Sequence, residues 1–479
     1  MVTFKYNNIH AYVYGTNEEK AIIIDKLSYN RKGSRYYAKE EWQKEASMYH
    51  AGYDRFPTGL IPFVLKETEG LLEITLEDGR PLSRDIPLND ISLYNEKTKA
   101  PLILHDYQQI GVDKFLENER GIIKLSTGSG KSVVAIAITQ KLNRNTLFLC
   151  NTKDLLNQTR EEYKHKMDID TGIIGNGNCT IKKVTVATMQ SVVRLIKKEP
   201  DIIKYLNDIE FLVIDEVHEA SKSYRKIANL MVNARWRLGL SATPFMSGKE
   251  NKFKTLALIG PIIYEVKMKK MVDDKKIAKP TMIFIRNHID PIEGEWQDIY
   301  DQGIVFNEER NLKIAIIALK RLKQGKSSLI LIEKTEHGRE IENLLKSRCN
   351  VKYVHGEHSS KIRKEALQDF SIGSIDVLIA SRIFNKGIDI PFLETVIVAS
   401  GWKSQVLVYQ RAGRGVRKTP IKEETMIFDF YDEQWYINEE LEHVRGVLFN
   451  HSIKRYNTCK KEKAFVLKLI TLEEFMKEE

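Results

Sequence analysis

Residues 121–132 read GIIKLSTGSGKS, and this stretch decides the fold. The apolar run at its start predicts a buried strand, and residues 132–142 predict a helix. Between the two, the glycines let backbone N–H groups approach a polyphosphate closely, and the helix start adds a favourable dipole. A chance turn rich in Gly and Ser is the alternative, but the flanking strand and helix favour a phosphate-binding loop.

The loop supplies the predicted ligands of ATP and Mg²⁺. Lys131 would reach the β- and γ-phosphates, and the hydroxyl of Ser132 would bind Mg²⁺. The strict consensus of such loops begins with Gly, whereas Ser126 or Thr127 occupies that position here. The predicted nucleotide-binding residues of the loop are Ser126, Thr127, Gly128, Ser129, Gly130, Lys131 and Ser132.

The segment Asp215-Glu216-Val217-His218 directly follows another apolar run, residues 211–214. Carboxylates at the carboxyl end of a central strand lie where an α/β sheet binds its ligand. Asp215 would hold Mg²⁺, and Glu216 would orient and deprotonate the attacking water. His218 is interpreted as a coupling residue. Capping of a helix start by the acidic pair is the alternative.

A glutamine upstream of the loop is predicted to contact adenine. An amide can pair with both a donor and an acceptor on the base. Gln108 is the preferred candidate and Gln109 is its competitor. The alternative for Gln108 is an ordinary exposed helix residue.

Strands alternate with helices from residue 101 onward, which predicts a doubly wound parallel sheet. The pattern starts again after Pro280 and predicts a second α/β lobe without its own phosphate loop. The predicted strands are 121–125, 146–150, 184–187, 211–214, 328–332, 351–354, 376–379 and 395–398. The predicted domains are an N-terminal α+β accessory domain (1–95), two lobes (96–278 and 279–450) and a helical tail (451–479).

The accessory region has a less regular pattern. Residues 11–14, 60–65 and 71–76 are predicted as strands, residues 39–49 as a helix, and residues 21–27 as either. Basic and aromatic residues interleave in residues 31–44, which indicates duplex contact or a charged amphipathic helix. A further basic run, residues 454–463, is interpreted as a solvated helix face.

The composition is that of a globular protein. Of 479 residues, 42% are hydrophobic and 29% are charged, and the net charge is +10. Residues 1–100 hold 14 Lys and Arg against 15 Asp and Glu, so the positive excess lies in the motif-bearing remainder. This balance favours a polyanionic partner over an ordinary basic surface only in combination with the motifs.

Four scattered cysteines argue against a zinc ribbon. No signal peptide or membrane span is recognisable, so we expect a cytoplasmic protein without a membrane partner.

An arginine-rich segment, residues 410–417, lies far beyond the loop. A transferring phosphoryl group needs positive charge on its oxygens, and arginine supplies it as a permanently charged planar fork. Arg414 and Arg417 would act on ATP held by the first lobe if the lobes face each other. Gln410 is counted with them as catalytic. The alternative is a basic helix on the surface.

In this order, the segments resemble superfamily 2 helicases over about residues 101–420. The resemblance implies two RecA-like lobes, with ATP and Mg²⁺ as cofactors. It implies that Ser241 and Thr243, in Leu240–Pro244, couple hydrolysis to unwinding. It also implies that Gly387 and Asp389, in the fifth motif Lys386–Pro391, contact the nucleotide.

The same resemblance places nucleic-acid contacts in both lobes. The candidates are Thr152, Thr188 and Ser381, which sit at predicted strand-to-helix turns where hydroxyls contact phosphates without reading sequence. Helix capping is the alternative for each. Ser381 stands where Thr is commoner, and Asn151 stands where Pro is common.

A finer resemblance is to UvsW-like phage helicases, near the XPB and RecG branch. Residues Phe56–Pro62 and Glu77–Arg80 carry it. It implies remodelling of branched or forked DNA by fork regression, branch migration, and R-loop or D-loop unwinding. We expect a monomeric or transiently assembling protein with one strand in the groove between lobes. RNA is possible in hybrids, and a phage-encoded protein would act in the host cytoplasm. Three alternatives remain: a restriction-type translocase without strand separation, an RNA helicase, and a binding module with an inactive nucleotide site.

Overall fold

A computed structural model provides the fold. The structure describes residues 1–30, 45–81, 87–96, 98–126, 128–219, 222–245, 248–381, 393–401, 424–438 and 440–477. The chain divides into two compact units. The first comprises residues 1–125 and 130–266, and the second comprises residues 267–479 with the four loop residues 126–129.

The first unit begins with a small α+β region. Its main sheet has the order β5-β2-β1-β6, in which β1 and β6 are parallel and the other pairs antiparallel. A capping box of Thr16 and Glu19 starts its first helix. The elements are β1 (Val2–Tyr6), β2 (His10–Tyr14), α1 (Asn17–Leu27), β3 (Ser28–Asn30), β4 (Glu45–Ser47), β5 (Arg55–Pro57), α2 (Ile61–Glu67), β6 (Ile74–Asp78), β7 (Leu93–Tyr94) and β8 (Pro101–Leu102).

Several predictions for this region need correction. The strand predicted over residues 60–65 is wrong, because α2 occupies most of it with a proline in its first turn, where a missing N–H costs nothing. Residues 45–47 of the helix predicted over 39–49 form β4, which pairs with β3. The strand predicted over 71–76 begins only at Ile74. The strand over 11–14 is confirmed, and residues 21–27 are helical.

The rest of the first unit is a lobe with a sheet in the order β12-β11-β13-β10-β14-β15-β9-β16. All pairs are parallel except β11 with β12. The elements are α3 (Asp106–Asn118), β9 (Arg120–Leu125), α4 (Lys131–Leu142), β10 (Thr146–Cys150), α5 (Lys153–Met167), β11 (Gly172–Gly175), β12 (Asn178–Thr180), β13 (Val184–Thr188), α6 (Met189–Ile196), α7 (Pro200–Asn207), β14 (Phe211–Asp215), α8 (Lys222–Ala228), β15 (Trp236–Ser241), α9 (Lys249–Leu258) and β16 (Ile262–Val266).

The second unit repeats this architecture with the parallel order β19-β20-β18-β21-β22-β17-β24, and β23 pairs antiparallel with β22. The elements are α10 (Met268–Asp273), β17 (Lys279–Ile289), α11 (Trp296–Tyr300), α12 (Glu308–Lys323), β18 (Ser328–Leu331), α13 (Thr335–Leu345), β19 (Val351–Val354), α14 (Ser360–Ser371), β20 (Val377–Ala380), β21 (Thr395–Val398), β22 (Glu424–Ile437), β23 (His443–Arg445), α15 (Val447–Lys461), β24 (Val466–Ile470) and α16 (Leu472–Lys477). Two parallel-sheet lobes of α/β class are therefore confirmed. Residues 466–470, within the tail predicted as helical, form a strand of this sheet.

The hydrophobic cores show which parts of each unit pack against one another. The second unit has one apolar cluster on each face of its sheet. In the first unit, Phe253 and Leu256 of α9 belong to the same buried cluster as Phe4 and Phe56 of the N-terminal region. The N-terminal region therefore shares a core with the lobe that follows it.

In the part of the chain that the structure describes, no helix is long and apolar enough to cross a membrane.

Candidate ATP and nucleic-acid site

Neighbouring parallel strands bring the predicted site residues of the first unit to one sheet edge. Strands β13, β10, β14, β15 and β9 are adjacent in this order. Their carboxyl ends carry Thr188, Thr152, Asp215, Ser241 and the phosphate-binding loop. The carboxyl edge is where open α/β sheets bind ligands.

The described part of the loop that joins β9 to α4 contains two glycines in a conformation that suits a phosphate-binding turn. Gly128 and Gly130 have φ values of 84° and 79°, in the left-handed region that favours glycine. The Ser129 hydroxyl donates a 2.7 Å hydrogen bond to the carbonyl of Ser126. Among the described residues, no side chain caps α4, so its first amides remain for a ligand. Thr127 lies outside the described residues.

The acidic pair lies at the end of β14. Asp215 accepts a 2.9 Å hydrogen bond from the backbone N–H of Glu216. Burial and then the charge of Glu216 raise the pKa of Asp215, whereas Lys131 opposes the shift. Glu216 has a φ of 51°, an uncommon conformation for a residue with a side chain. A half-buried carboxylate under the influence of an ammonium group, followed by a strained acidic residue, fits a bound cation and triphosphate.

A chain of contacts joins this pair to the Ser241 segment. His218 Nδ1 lies 3.2 Å from Glu216 Oε2 and 3.1 Å from Ser241 Oγ. Ser241 Oγ also accepts a 3.0 Å hydrogen bond from the backbone N–H of Thr243. His218, Ser241 and Thr243 are all buried. The three predicted coupling residues thus form a chain of contacts from Thr243 through Ser241 and His218 to Glu216.

Gln108 lies next to the phosphate-binding loop. A Cβ added at Gly130 would lie 2.5 Å from the Gln108 side-chain nitrogen. The Gln108 side chain is buried and accepts a 3.0 Å hydrogen bond from the His105 N–H. Gln109 is exposed and donates to Asp113. The structure therefore excludes the interpretation of Gln108 as an ordinary exposed helix residue.

The predicted nucleic-acid contacts differ in their local bonding. The Thr152 hydroxyl accepts a 3.2 Å bond from the Leu155 N–H and so caps α5. A capping hydroxyl can still donate its own hydrogen to a phosphate. The Thr188 hydroxyl donates to Ser191 Oγ at 2.9 Å. Ser381, at the end of β20 in the second unit, is buried and its N–H donates to the Val354 carbonyl.

Sequence reasoning missed one cluster at this edge. Asn151 Nδ2 donates a 2.7 Å hydrogen bond to Glu219 Oε2, and the Asn151 side-chain oxygen accepts one from the Tyr224 hydroxyl. The Glu219 N–H donates to the Glu216 carbonyl. The sequence feature that could have indicated this cluster is Asn151 itself. An asparagine at a position where proline is common can make side-chain hydrogen bonds that proline cannot.

Several predicted residues lie outside the described residues. They are Gly387, Asp389, Gln410, Arg414 and Arg417, together with the basic and aromatic run of residues 31–44.

A buried ionic network in the second unit holds the chain just before residues 402–423. Arg455 pairs with Asp429 at 3.1 Å and Arg310 pairs with Asp432 at 2.9 Å. Arg310 also donates to the Ala399 carbonyl, and Arg455 to the carbonyl of residue 401. The carboxyl end of β21, from which the arginine segment follows in sequence, is thereby anchored.

Known proteins match the chain in both units. Residues 101–246 match the model of the type III restriction enzyme res subunit, and residues 310–419 match the helicase conserved C-terminal domain. The chain is 28% identical to the DNA 3'-5' translocase XPB2 of Sulfurisphaera tokodaii, over 67% of this chain and 80% of that protein. It is 26% identical to the ATP-dependent DNA helicase uvsW of Enterobacteria phage T4, over 77% of each. Among solved structures, Dbp5 of S. cerevisiae bound to RNA matches with a TM-score of 0.53, 17% identity and coverage of 78% of this chain and 90% of Dbp5.

The fold, the edge geometry and these matches together define an ATP-hydrolysing superfamily 2 helicase. Within that superfamily, the chain is similar to the UvsW-like and XPB-like DNA helicases. It is therefore an ATP-dependent DNA helicase or translocase, and its family implies ATP and Mg²⁺ as cofactors.

Proposed function

We propose that this helicase remodels branched or forked DNA as a monomer, by fork regression, branch migration and displacement of R-loops or D-loops. The observation that carries this proposal is the shared core between the N-terminal region and the ATP-binding lobe. A duplex arm held by the N-terminal region would move as one body with that lobe. Such coupled movement is what regression of a junction requires, because one arm must be drawn while another is displaced.

The residues at the sheet edge have proposed roles in ATP hydrolysis. Lys131 binds the β- and γ-phosphates, the α4 amides hold phosphate oxygens, and Gln108 contacts adenine. Asp215 and Ser132 would hold Mg²⁺, which neutralises the charge that develops on the phosphates. Glu216 orients the attacking water and accepts its proton. His218, Ser241 and Thr243 pass the state of Glu216 to the rest of the lobe.

Further roles are proposed for the remaining predicted residues. Arg414, Arg417 and Gln410 supply charge and polar contacts to the transferring phosphoryl group, and Gly387 and Asp389 contact the nucleotide. Thr152, Thr188 and Ser381 contact the nucleic-acid backbone.

Two substitutions test the ATP site. Lys131→Ala and Glu216→Gln should each lower DNA-stimulated phosphate release at least about a hundredfold, because each removes a group that acts on the reacting phosphate or water. DNA affinity should stay near that of the wild type. Lys141→Ala, at the far end of the same helix, and the exposed Glu199→Gln are matched controls that should hydrolyse ATP normally. Normal turnover in either site variant would refute the assignment.

A substrate panel tests the branched-DNA proposal. Forks, Holliday junctions, R-loops, linear duplex DNA and duplex RNA should be compared at equal concentration, with Glu216→Gln as the inactive control. We expect junctions and R-loops to be resolved faster than linear duplexes. Preference for duplex RNA would favour an RNA helicase.

A restriction-type translocase is the second candidate, because the first lobe matches the restriction res-subunit model. A triplex-displacement assay separates the two. A pure translocase displaces the third strand from a duplex but releases no single strand from any member of the panel.

A further inference from the structure

A cavity of about 470 Å³ lies within the first unit, where the N-terminal region meets the lobe. Its lining comes from β2, β5 and the end of β4 with the residues that follow it in the N-terminal region, and from α8, β15 and α9 of the lobe. Arg237, which lines it, is at the amino end of β15, whereas Ser241 is at the carboxyl end of the same strand. The two ends are about 13 Å apart at the usual rise of a strand. The cavity therefore faces away from the edge that carries the ATP site.

Among the described residues, the charged side chains that line the cavity are all basic. No described Asp or Glu lines it. The basic and titratable lining residues are His10, His50, Arg55, Arg225, Lys226 and Arg237. Burial lowers the pKa of His10 to about 4, and the charges of Arg55, His50 and Arg237 add to the shift.

Two of the arginines have unused donors. The Nε groups of Arg55 and Arg225 are buried, and neither has a hydrogen-bond partner among the described residues. The remaining contacts of these side chains are weak: Arg55 donates to the Tyr12 hydroxyl at 3.4 Å and stacks over Tyr53, and Arg225 donates to the Met48 sulfur at 3.6 Å. Within the described chain, neither guanidinium pairs with a carboxylate. Buried guanidinium donors left without an acceptor are costly unless a ligand supplies one.

Arg237 differs because its donors are engaged. It donates to the carbonyls of Ala228, Met231 and Ala234 at 3.1–3.2 Å, which holds its charge in place at the base of the cavity. The cavity thus combines one fixed charge with two guanidinium groups that can turn toward an acceptor. A planar fork of this kind matches a tetrahedral phosphate by paired hydrogen bonds.

We propose that this cavity binds a backbone phosphate of the DNA substrate, at a second contact point on the face of the lobe opposite the ATP edge. Nucleic acid is favoured over a small phosphate ester because the exposed ring of Tyr53 lies 4.7 Å from the guanidinium of Arg55, which lines the cavity, and offers a stacking surface for a base. The inference rests on DNA as the substrate but requires neither strand separation nor a branched junction.

The double substitution Arg55→Gln with Arg225→Gln tests the site in the full-length protein. Lys460→Gln with Lys461→Gln, on the exposed end of α15, removes the same charge elsewhere and is the matched control. We expect the cavity variant to bind a forked duplex about tenfold more weakly at 0.1 M salt. The slope of log affinity against log salt should become shallower by about 0.9 for each phosphate that the protein no longer neutralises. The maximal ATPase rate at saturating DNA should be unchanged, because the ATP residues are at the other edge.

Two further measurements distinguish a binding defect from a folding defect and test the site in the wild-type protein. Arg55→Lys with Arg225→Lys should recover part of the affinity if charge matters and none if the double Gln variant is merely misfolded. Fork binding should raise the pKa of His10 in the wild type, measured by NMR of labelled histidine, because a nearby anion favours the imidazolium. Equal fork affinity and salt slope in the cavity variant, the control and the wild type would overturn the proposal. So would stabilisation of the wild type, but not the variant, by tripolyphosphate without any change in fork affinity, because that result assigns the cavity to a small anion. A failure of the junction panel alone would leave this site standing.

Discussion

At the scale of single residues, the contact between His218 and its neighbours links two motifs that are 25 residues apart in sequence. Glu216 is held with φ at 51°, so its backbone is strained at the point where its side chain must be placed. His218 contacts both Glu216 and Ser241, so a single imidazole ring connects those two side chains. A change at Glu216 when phosphate leaves can therefore reach the segment that begins at Ser241.

Removing the Ser241 hydroxyl should separate hydrolysis from unwinding. In Ser241→Ala, His218 and the Thr243 N–H lose their shared partner inside the protein, at a cost of about 1–3 kcal/mol. We expect ATP turnover within about threefold of wild type but about tenfold fewer base pairs unwound per ATP. Both rates should be measured on one fork substrate. Ser328→Ala removes a hydroxyl that is also buried in a strand but unbonded among the described residues, and it should leave the ratio unchanged. An unchanged ratio in Ser241→Ala would exclude this coupling route.

His337 should make the second unit sensitive to acid. Burial, assisted by the charge of Arg310, lowers the pKa of His337 to about 3, and Nε2 lies 2.8 Å from Asn311 Oδ1. Because the unfolded chain takes up this proton at a higher pH than the folded chain, the stabilising contribution is full above about 6.5 and is lost as the pH falls. At pH 5 the loss is about 2 kcal/mol from this group.

Thermal unfolding of His337→Gln at several pH values measures the effect. The difference in stability between variant and wild type should change by about that amount between pH 7 and pH 5. The exposed His443→Gln is the control and should follow the wild type. Parallel pH profiles for His337→Gln and wild type would contradict the prediction.

At the scale of elements, the sequence predicted the lobes far better than the N-terminal region. Parallel strands buried on both faces give continuous apolar runs, so β10 and β21 were predicted with correct bounds. The run at residues 60–65 is equally apolar, but its burial comes from one helical face, with Ile61 and Val64 turned inward. Periodicity over six residues cannot distinguish these cases. The first unit's edge site was predictable because each motif follows a strand, whereas the Asn151 and Tyr224 contact depends on packing that no pattern reveals.

The ionic network around β22 joins a strand to two helices, and no sequence pattern predicted it. Asp429 and Asp432 lie among apolar and aromatic residues in an interior strand, and their partners come from α12 and α15. Burial raises the pKa of Asp429 even though Arg455 opposes the shift, so the carboxylate depends on its partner to stay charged. Through Ala399 and residue 401, this network also fixes the start of the stretch that leads to Arg414 and Arg417.

Breaking the network should destabilise the second unit and slow hydrolysis. Arg455→Met leaves the buried Asp429 carboxylate without its partner and removes a second, longer contact to Asp432, at a cost of about 3–5 kcal/mol. We also expect a lower kcat for ATP with a smaller change in KM, because the arginine segment loses its anchor. Calorimetry and steady-state kinetics check the two effects. Adding Asp429→Leu should recover stability but not kcat, and the exposed Arg445→Met should change neither. Recovery of both together would show that the network acts on stability alone.

At the scale of the whole molecule, the number of folding units differs from the number of sheets. The N-terminal region has its own four-stranded sheet, yet its core includes α9 of the adjoining lobe. Gly59 lies so close to that helix that an added Cβ would be 2.2 Å from the Leu256 carbonyl. Asn8 and Arg80 add hydrogen bonds to Val232 and Glu119 across the same junction. We therefore expect two thermal transitions, one for each unit, rather than three.

Substitution of Gly59 tests this cooperativity without removing any segment. In Gly59→Ala the new methyl group must push α9 away, which should cost about 1–3 kcal/mol. Because α9 belongs to the ATP-binding lobe, the transition that is stabilised by added nucleotide should itself move to lower temperature, while the other transition stays in place. Gly52→Ala is the matched control, since nothing lies within 4 Å of its added Cβ. If instead a separate, nucleotide-insensitive transition moved and the nucleotide-stabilised one did not, the N-terminal region would unfold on its own. The proposal that it moves as one body with the ATP-binding lobe would then fail.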